Sequence, residues 1–387
     1  MGIIMGSKGS PLGGSRAAPW WGIGGKAPIN TMLICATDAG GARNLAPVAA
    51  LAAERGWAVT TFGSPTTLPL FAEAGVAAEI APVSDLAGAL TLLRHRAPRA
   101  VLCGTTRYVS AETHLIAAAR TVGLRSVVVL DELYGYRRRF VDADGNLTGL
   151  PDRVCCPNAM AMAEAIGEGL PADRLCVTGS PALATLADRI AAFATTPPPL
   201  PVAWPAEGGG LRLLFLSETH AADYGDAPGQ IGPLGPFLGY TETEVRRDLA
   251  RALADPSMPP CRVVEKLHPS ADEDLGPPAE ATGPWRVVAR ESLWPLLYHA
   301  ELVVGMRSMA LLEAALFGHR PLAYQPGLIG AERCTAARLG LADSGRESAD
   351  LTGWLSRHWG GAPRGDPLRP PFAAASAASQ VLDLLTE

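Results

Sequence analysis

The chain has 387 residues, enough for two domains, with 48% hydrophobic and 18% charged residues and a formal net charge of −5. This apolar share excludes wholesale disorder, which requires low hydrophobicity and a high net charge. Lys and Arg form no long basic run, whereas a nucleic-acid-binding module normally carries a clustered basic stripe, so we expect no nucleic-acid partner.

Cysteine usage and hydropathy indicate the cellular setting. The seven cysteines are an odd number without metal-ligand spacing, and several lie in strand-like apolar runs, which argues against a disulfide framework and favours a reducing, cytoplasmic compartment. No segment reaches the roughly 18 consecutive apolar residues of a membrane span, so we expect no integral membrane segment. Residues 1–30 are rich in Gly, Ser and Pro and lack the apolar region of a signal peptide, which predicts a flexible leader.

From residue 31 onward, short apolar runs alternate with amphipathic segments. Strands that alternate with helices of roughly 10–15 residues are typical of βαβ units and a parallel sheet. The strands predicted in the first half are 32–36, 58–62, 77–81, 100–103, 126–130, 153–156 and 175–178. These elements predict a Rossmann-like domain over 31–195, within which segment 137–150 is predicted to form a hairpin that turns at Asp144-Gly145.

A change in composition separates the two halves of the chain. Pro and Gly are concentrated over 196–210, which predicts a domain linker. The alternation then resumes, with predicted strands at 211–216, 262–267, 285–289, 301–305 and 321–325. We therefore predict a second Rossmann-like domain over 211–371, followed by a C-terminal helical segment over 372–387.

Ligands of open α/β sheets bind outside the carboxyl ends of the strands, so the loops after the predicted strands hold the candidate residues. After the first strand, Asp38 precedes Gly40 and Gly41, which predicts either a ligand-facing loop or a plain tight turn. After the fifth strand, Asp131 and Glu132 predict either a general base or hydroxyl clamp, or a strand end whose acids pair with the following arginines.

Two further candidates lie in the second half. His220, beside Glu218, follows the first strand of that half, and an imidazole there could titrate near neutrality or have no special role. Lys266 and His268 lie on one side of the next strand, where a cation and an imidazole suit a phosphate; the alternative is a strand-terminal His-Pro satisfied by backbone groups.

The strongest junction is the end of the strand at Gly305. Ser308 is predicted to cap a helix whose first turn, from Met309, presents free N–H groups with Arg307 beside them, which is the arrangement of an anion site. Glu313 is five residues further on and could bind a ribose diol. The alternative is an ordinary helix cap with Glu313 as a surface charge.

Three stretches resemble a known superfamily: 150–154 with 177–183, Lys266-Leu267-His268-Pro269, and 305–318. They are similar to the GT-B glycosyltransferases and the related nucleotide-sugar 2-epimerases. The lysine and His-Pro pair followed by a Ser-bearing helix also resembles bacterial capsule-polymer transferases of the sialyl and glycerophosphate type. The resemblance implies two Rossmann-like domains with an interdomain cleft and a C-terminal helix that returns to the first domain.

The resemblance also implies roles for single residues. His268 and Ser308 would contact the donor phosphates, and Glu313 would hold the donor ribose. The acidic base of the sialyltransferase-like group lies in an Asp/Glu-Asp/Glu-Gly motif, whereas Asp131-Glu132 is followed here by Leu133-Tyr134-Gly135.

These observations favour a metal-independent, inverting transferase that moves a glycosyl or related group from a nucleotide-activated donor to an acceptor. The donor is a co-substrate, no further cofactor is expected, and a homodimer stays open. The predicted catalytic residues are Asp131, Asp38 and His220. The predicted binding residues are Gly40, Gly41, Glu132, Lys266, His268, Arg307, Ser308, Met309 and Glu313. The alternatives are a nucleotide-sugar 2-epimerase or hydrolase of the same fold and a non-catalytic nucleotide-sugar-binding protein.

Overall fold

The structure is a computed structural model. It describes residues 30–106, 109–142, 144–204, 209–268, 271, 275–360 and 364–386. The leader predicted over 1–30 therefore lies, except for Asn30, outside the described residues. The chain forms two compact units, one comprising the described residues up to Ala182 together with those from Ala374 onward, and the other Leu183–Ala373.

Strands and helices alternate along the described chain, as the sequence predicts. The strands are β1 (Thr31–Ala36), β2 (Ala58–Gly63), β3 (Glu79–Ile80), β4 (Ala100–Cys103), β5 (Arg125–Val129), β6 (Arg153–Cys156), β7 (Leu175–Val177), β8 (Leu211–Leu216), β9 (Ile231–Gly232), β10 (Gly235–Pro236), β11 (Cys261–Lys266), β12 (Trp285–Val288), β13 (Leu302–Gly305), β14 (Leu322–Tyr324) and β15 (Asp343–Gly345). The helices are α1 (Ala39–Glu54), α2 (Leu68–Glu73), α3 (Leu86–Arg96), α4 (Ala111–Thr121), α5 (Ala159–Gly167), α6 (Pro181–Ala194), α7 (His220–Tyr224), α8 (Glu242–Leu253), α9 (Leu293–His299), α10 (Met309–Leu316), α11 (Thr335–Arg338), α12 (Ser348–His358) and α13 (Ala377–Asp383).

The first unit is built on a parallel sheet. Among its described residues the sheet has seven strands in the order β3-β2-β1-β4-β5-β6-β7. The inner strands are apolar on both faces because helices cover both sides, and Met32–Ala36 of β1 is almost completely buried. This order places the ends of β1, β4 and β5 side by side at one edge of the sheet.

The C-terminal helix packs on the first unit, as the resemblance implies. Val381 and Leu382 of α13 and the following Leu385 are buried in the same core cluster as Leu45 of α1 and Val129 of β5. The backbone carbonyl of Leu384 accepts a hydrogen bond from Arg125 at 3.0 Å. Burial of these three side chains gives the end of the chain a hydrophobic reason to return to the first sheet.

The second unit repeats the architecture with a smaller sheet. Within its described part the sheet has six parallel strands in the order β12-β11-β8-β13-β14-β15. Alternate residues of β8 enter separate core clusters on the two faces, Leu214 and Leu216 in one and Leu213 and Phe215 in the other. The ends of β8, β11 and β13 are adjacent, so the loops after them lie at one edge.

The Pro-rich segment 196–210 lies in the second unit where it is described. Trp204 is 3% exposed within a core cluster of that unit, and the Pro198 carbonyl accepts a hydrogen bond from His299 Nε2 at 2.8 Å. The division between the units falls after Ala182, within α6, rather than at this segment. Its composition predicts a segment without regular structure. The packing of the Trp204 indole in the core of the second unit, which composition does not predict, fixes this segment to that unit.

The predicted hairpin over 137–150 is wrong in its first arm. Arg137–Arg139 forms a single turn of 3₁₀ helix, and among the described residues of the segment the two arms share one antiparallel bridge, between Val141 and Leu147. Tertiary contacts decide this, because the turn buries Arg139 against acids that follow β5. Every helix in the described part of the chain is too short or too polar to span a membrane.

One buried histidine of the second unit gives a pH dependence to folding. His319 is 6% exposed, and its Nε2–H donates to the carbonyl of Leu297 at 2.9 Å. Burial lowers the pKa of His319 from 6.5 to about 4. Between these pH values the unfolded chain binds a proton that the folded chain does not, so the free energy of unfolding falls as the pH falls through this window.

We expect acidification from pH 6.5 to pH 4 to remove about 3 kcal/mol of stability through His319. His319→Gln keeps an N–H for the Leu297 carbonyl but cannot take up a proton. Its free energy of unfolding, measured with urea at several pH values, should therefore fall by about 3 kcal/mol less than that of the wild type over this range. His95→Gln, at an exposed position at the end of α3, serves as the control and should keep the wild-type slope. Equal slopes for all three proteins would contradict the prediction.

Candidate functional site

In the first unit, two acids that follow β5 meet a buried arginine. Arg139 Nη1 donates to Asp131 Oδ1 at 2.9 Å and to Thr105 Oγ1 at 2.7 Å, and Arg139 Nη2 pairs with Glu132. The Thr105 hydroxyl donates to Asp131 Oδ1 at 2.7 Å. The exposed fraction is 1% for the Arg139 side chain and 7% for that of Asp131. We call these four residues the Asp131 cluster. Both acids pair with Arg139, which is the pairing with the following arginines that the sequence analysis gave as one of two alternatives.

The environment of Asp131 raises the pKa of its carboxyl group. Burial raises the pKa of Asp131 above its ordinary value, and the nearby carboxylates of Glu132 and Asp38 act in the same direction. Arg139 and the Thr105 hydroxyl oppose this shift but do not cancel it. A carboxylate with a raised pKa is a stronger base than a solvated one, so Asp131 has the property that a general base requires.

The two glycines at the start of α1 are explained by close packing. A Cβ on Gly40 would lie 2.3 Å from Asp131 Oδ2, and a Cβ on Gly104 would lie 3.0 Å from Gly41 Cα. Asp38 is exposed, and its side chain caps α1 by accepting from the N–H of Gly40 at 2.9 Å. The structure therefore brings the Asp38–Gly41 loop against Asp131, and the glycines face protein atoms. Their contact with a ligand stays a prediction.

The sequence analysis did not identify one buried acid, Glu112, at this edge of the first sheet. Glu112, in the first turn of α4, is 1% exposed and accepts hydrogen bonds from the Thr37 backbone N–H at 2.5 Å and from the Thr37 hydroxyl at 2.8 and 2.9 Å. It thereby fixes the turn between β1 and α1. The only signal in the sequence is an acid at the start of a helix, which is usually a solvated charge.

In the second unit, Glu218 connects the loops after β8 and β13. Its Oε1 accepts from the backbone N–H groups of Arg307 at 2.6 Å and Ser308 at 2.8 Å, and its Oε2 lies 3.2 Å from His220 Nε2. The Arg307 guanidinium lies over the ring of Tyr224, 4.7 Å from its centroid. We call these five residues the Glu218 cluster.

The charge of Glu218 is stabilised in place. Burial by itself raises the pKa of Glu218, but the hydrogen bond and charge of His220, together with the N–H and guanidinium of Arg307, lower it below its ordinary value. The His220 ring is 1% exposed and packs edge-on against Tyr224 and Tyr240. Its Nδ1 has no hydrogen-bond partner within the described residues.

The anion site predicted in the first turn of α10 stays a prediction, because the N–H groups that Glu218 holds are those of Arg307 and Ser308, just before that turn. Ser308 does cap α10, since its Oγ accepts from the N–H of Ala310 at 3.1 Å. The N–H groups of Arg307 and Ser308, however, are not free, because Glu218 accepts from both. Sequence reasoning missed this because Glu218 lies about 90 residues earlier in the chain, and only the sheet order brings the two loops together.

The other predicted phosphate and ribose ligands have protein partners too. Lys266 Nζ donates to the carbonyls of Leu267 at 3.0 Å and Ala289 at 2.6 Å, and burial lowers its pKa. Glu313 accepts from Trp294 Nε1 at 2.5 Å, so it is not the free surface charge of the alternative. His268 is exposed, and Met309 is 48% exposed beside Ser308.

The sequence matches no protein-family model and no curated protein. Solved structures match along nearly the whole chain. The UDP-GlcNAc 2-epimerase of Methanocaldococcus jannaschii has a TM-score of 0.63 at 11% identity and covers 92% of this chain and 99% of its own. That of Neisseria meningitidis, bound to UDP-GlcNAc, has a TM-score of 0.60 at 14% identity with the same coverage.

MurG of Acinetobacter baumannii also matches, with a TM-score of 0.51 at 13% identity over 93% of this chain and 99% of its own. At these identities the matches establish the fold. The fold class predicted from the sequence, two parallel α/β domains of the GT-B architecture, is confirmed. In the described part of the chain, no group of three or more His, Cys, Asp or Glu side chains is placed to hold a metal ion.

Removal of Arg139 should destabilise the first unit strongly. Arg139→Met leaves Asp131 buried without its cation, and breaking a buried ion pair from one side costs about 3 kcal/mol or more. Arg55→Met removes an exposed pair with Asp383 and should cost less than about 1 kcal/mol. Chemical denaturation of both variants measures the difference, and equal losses would refute a buried role for Arg139.

Packing of Gly40 against Asp131 predicts that a single methyl group is harmful there. Gly40→Ala should lower the free energy of unfolding by about 2 kcal/mol, despite the higher helix propensity of Ala. Gly167→Ala, in α5, is the matched control, because nothing lies within 4 Å of its added Cβ. That variant should be as stable as the wild type or slightly more stable. A Gly40→Ala protein as stable as the wild type would show that the Asp38–Gly41 loop lies further from Asp131 than the 2.3 Å contact of the added Cβ implies.

Proposed function

We propose that the protein is a GT-B-type transferase that moves a glycosyl or related group from a nucleotide-activated sugar to an acceptor. The observation that carries this proposal is the state of Asp131: a buried carboxylate at the end of an inner strand, with its pKa raised. The fold, which is that of UDP-GlcNAc 2-epimerases and of MurG, supports a nucleotide-sugar substrate.

In this proposal Asp131 is the general base. It takes the proton from an acceptor hydroxyl as the acceptor oxygen bonds to the anomeric carbon, while the bond from that carbon to the donor phosphate breaks. The nucleotide leaves with the electron pair, and attack from the opposite face inverts the anomeric centre. Arg139 and Thr105 position the carboxylate by holding Oδ1, which leaves Oδ2, the oxygen facing Gly40, for the proton.

The donor is proposed to bind on the second unit. Arg307 supplies a positive charge and His268 an imidazole for the phosphates, and His220, oriented by Glu218, is a further proton donor or acceptor. Two predicted ligands must change partners to take part: Lys266 now binds carbonyls, and Glu313 now binds Trp294. The proposal requires no metal and no cofactor beyond the nucleotide sugar.

A 2-epimerase acting on the donor alone is the second candidate, because UDP-GlcNAc 2-epimerases match 92% of the chain with TM-scores of 0.60 and 0.63. The two activities differ in their need for an acceptor. An epimerase converts its nucleotide sugar without one, whereas a transferase releases the nucleotide only when an acceptor is present.

The first test is a thermal-shift screen with UDP, CDP, GDP and dTDP and their common sugar conjugates. A ligand bound only by the folded chain should raise Tm, by about 2.7 kcal/mol of added stability at a hundredfold excess over its Kd. Turnover of the selected donor is then followed by NMR, with and without saccharide acceptors. Donor epimerisation without an acceptor supports the second candidate, and binding without any turnover supports a non-catalytic binding protein.

Asp131→Asn should lower kcat at least a hundredfold while changing donor affinity little, since it removes the base but keeps an oxygen for Arg139 and Thr105. Asp173→Asn is the control, because Asp173 is exposed and precedes β7 at the opposite edge of the sheet. A fully active Asp131→Asn enzyme would exclude Asp131 as the base.

A further inference from the structure

The start of α10 already holds an anion that belongs to the protein. Two consecutive backbone N–H groups, those of Arg307 and Ser308, converge on Glu218 Oε1 at 2.6 and 2.8 Å. The Arg307 guanidinium lies on the same side, with Nε 4.0 Å from Oε2. Paired backbone donors and a cation at a helix start are the groups that bind a ligand phosphate in α/β folds.

We infer that Glu218 is an internal substitute for a ligand phosphate and must leave its position before a phosphate of the donor can bind there. This inference rests on the proposed function. Glu218 Oε1 and a phosphate oxygen cannot occupy the same position against the N–H groups of Arg307 and Ser308. In addition, two anions within about 4 Å of each other repel strongly in a site shielded from water. Glu218 therefore acts as a specificity-determining residue that weakens binding of any anion at this site.

The helix does not need Glu218 in order to stay formed. Ser308 Oγ caps α10 through the N–H of Ala310, and the Arg307 guanidinium has a second partner in Tyr224, both its ring and its hydroxyl. The loss of Glu218 would leave these contacts in place. Release of the side chain is therefore a local change, unlike removal of Arg139 from the first unit.

Release also separates Glu218 from His220. The His220 ring is held between Tyr224 and Tyr240, so it stays in place when the carboxylate moves. Its Nε2, which now faces Glu218 Oε2 at 3.2 Å, would then face the incoming anion. A phosphate would thus inherit three donors from Glu218: two backbone N–H groups and one imidazole.

The test uses the full chain with Glu218→Ala and Glu218→Gln. Glu242 supplies the matched controls, Glu242→Ala and Glu242→Gln, because its carboxylate also accepts from a backbone N–H, that of Ala221, in the same unit. Tm is measured in sodium phosphate and in sodium chloride of equal ionic strength, and the Kd of UDP is measured by calorimetry. Gln preserves the size of Glu but removes the negative charge that repels a phosphate, so it serves if the Ala variant fails to fold.

We expect phosphate to raise the Tm of Glu218→Ala by several degrees while the wild type and Glu242→Ala respond equally and weakly. We expect UDP to bind Glu218→Gln at least fivefold more tightly than the wild type. A Glu218→Ala protein that responds to phosphate no more than the wild type overturns the inference. So does equal UDP affinity in wild type and Glu218→Gln, which leaves the proposed function intact.

The two proposals fail differently. If phosphate stabilises Glu218→Ala but no nucleotide binds any variant, the anion site stands and the nucleotide-sugar function is wrong. If UDP binds Glu218→Gln more weakly than the wild type, Glu218 supports the nucleotide site instead of competing for it, and the inference is overturned.

Discussion

Both units depend on a parallel sheet whose inner strands lie between helices, where a buried polar group is costly unless it is paired. The inner strands are covered on both faces, and a polar side chain buried there without a partner would cost several kcal/mol. Glu265 of β11 is consistent with this rule: it is fully buried, but its Oε1 lies 2.7 Å from Arg246 Nε and its Oε2 accepts from Trp285 Nε1 at 2.9 Å. Asp131 and Glu218, by contrast, lie just after the ends of β5 and β8.

The cost of burying a polar group also explains the contacts made by the buried carboxylates of the Asp131 and Glu218 clusters. Each contains a carboxylate largely removed from water, and each provides protein donors for it. Asp131 has a guanidinium and a hydroxyl, yet burial outweighs them and its pKa is raised. Glu218 has two backbone N–H groups, an imidazole and a guanidinium, which together outweigh burial and lower its pKa. The first is thereby suited to accept a proton and the second to remain an anion.

Local sequence patterns located both clusters but only some of the residues that pair in them. The loops after the strands at 126–130 and 301–305 were found from strand alternation and from Ser308 as a helix cap, and the structure places polar clusters at both. Arg139 entered as one of three arginines that could pair with the acids, Glu112 was missed, and Glu218 entered only as a neighbour of His220. These three residues act across 7 to 90 positions of sequence, and no local propensity encodes such contacts.

The sequence by itself determined the alternation of strands and helices, which follows from hydrophobic periodicity. Its resemblance to the GT-B enzymes implied the fold class and the return of the C-terminal helix. Only the tertiary structure decided where Trp204 packs, why Gly40 must be glycine and which anion fills the start of α10. Each of these depends on sheet order, which brings distant strand ends to one edge. There, distances of a few tenths of an ångström decide whether a methyl group fits or a donor is free.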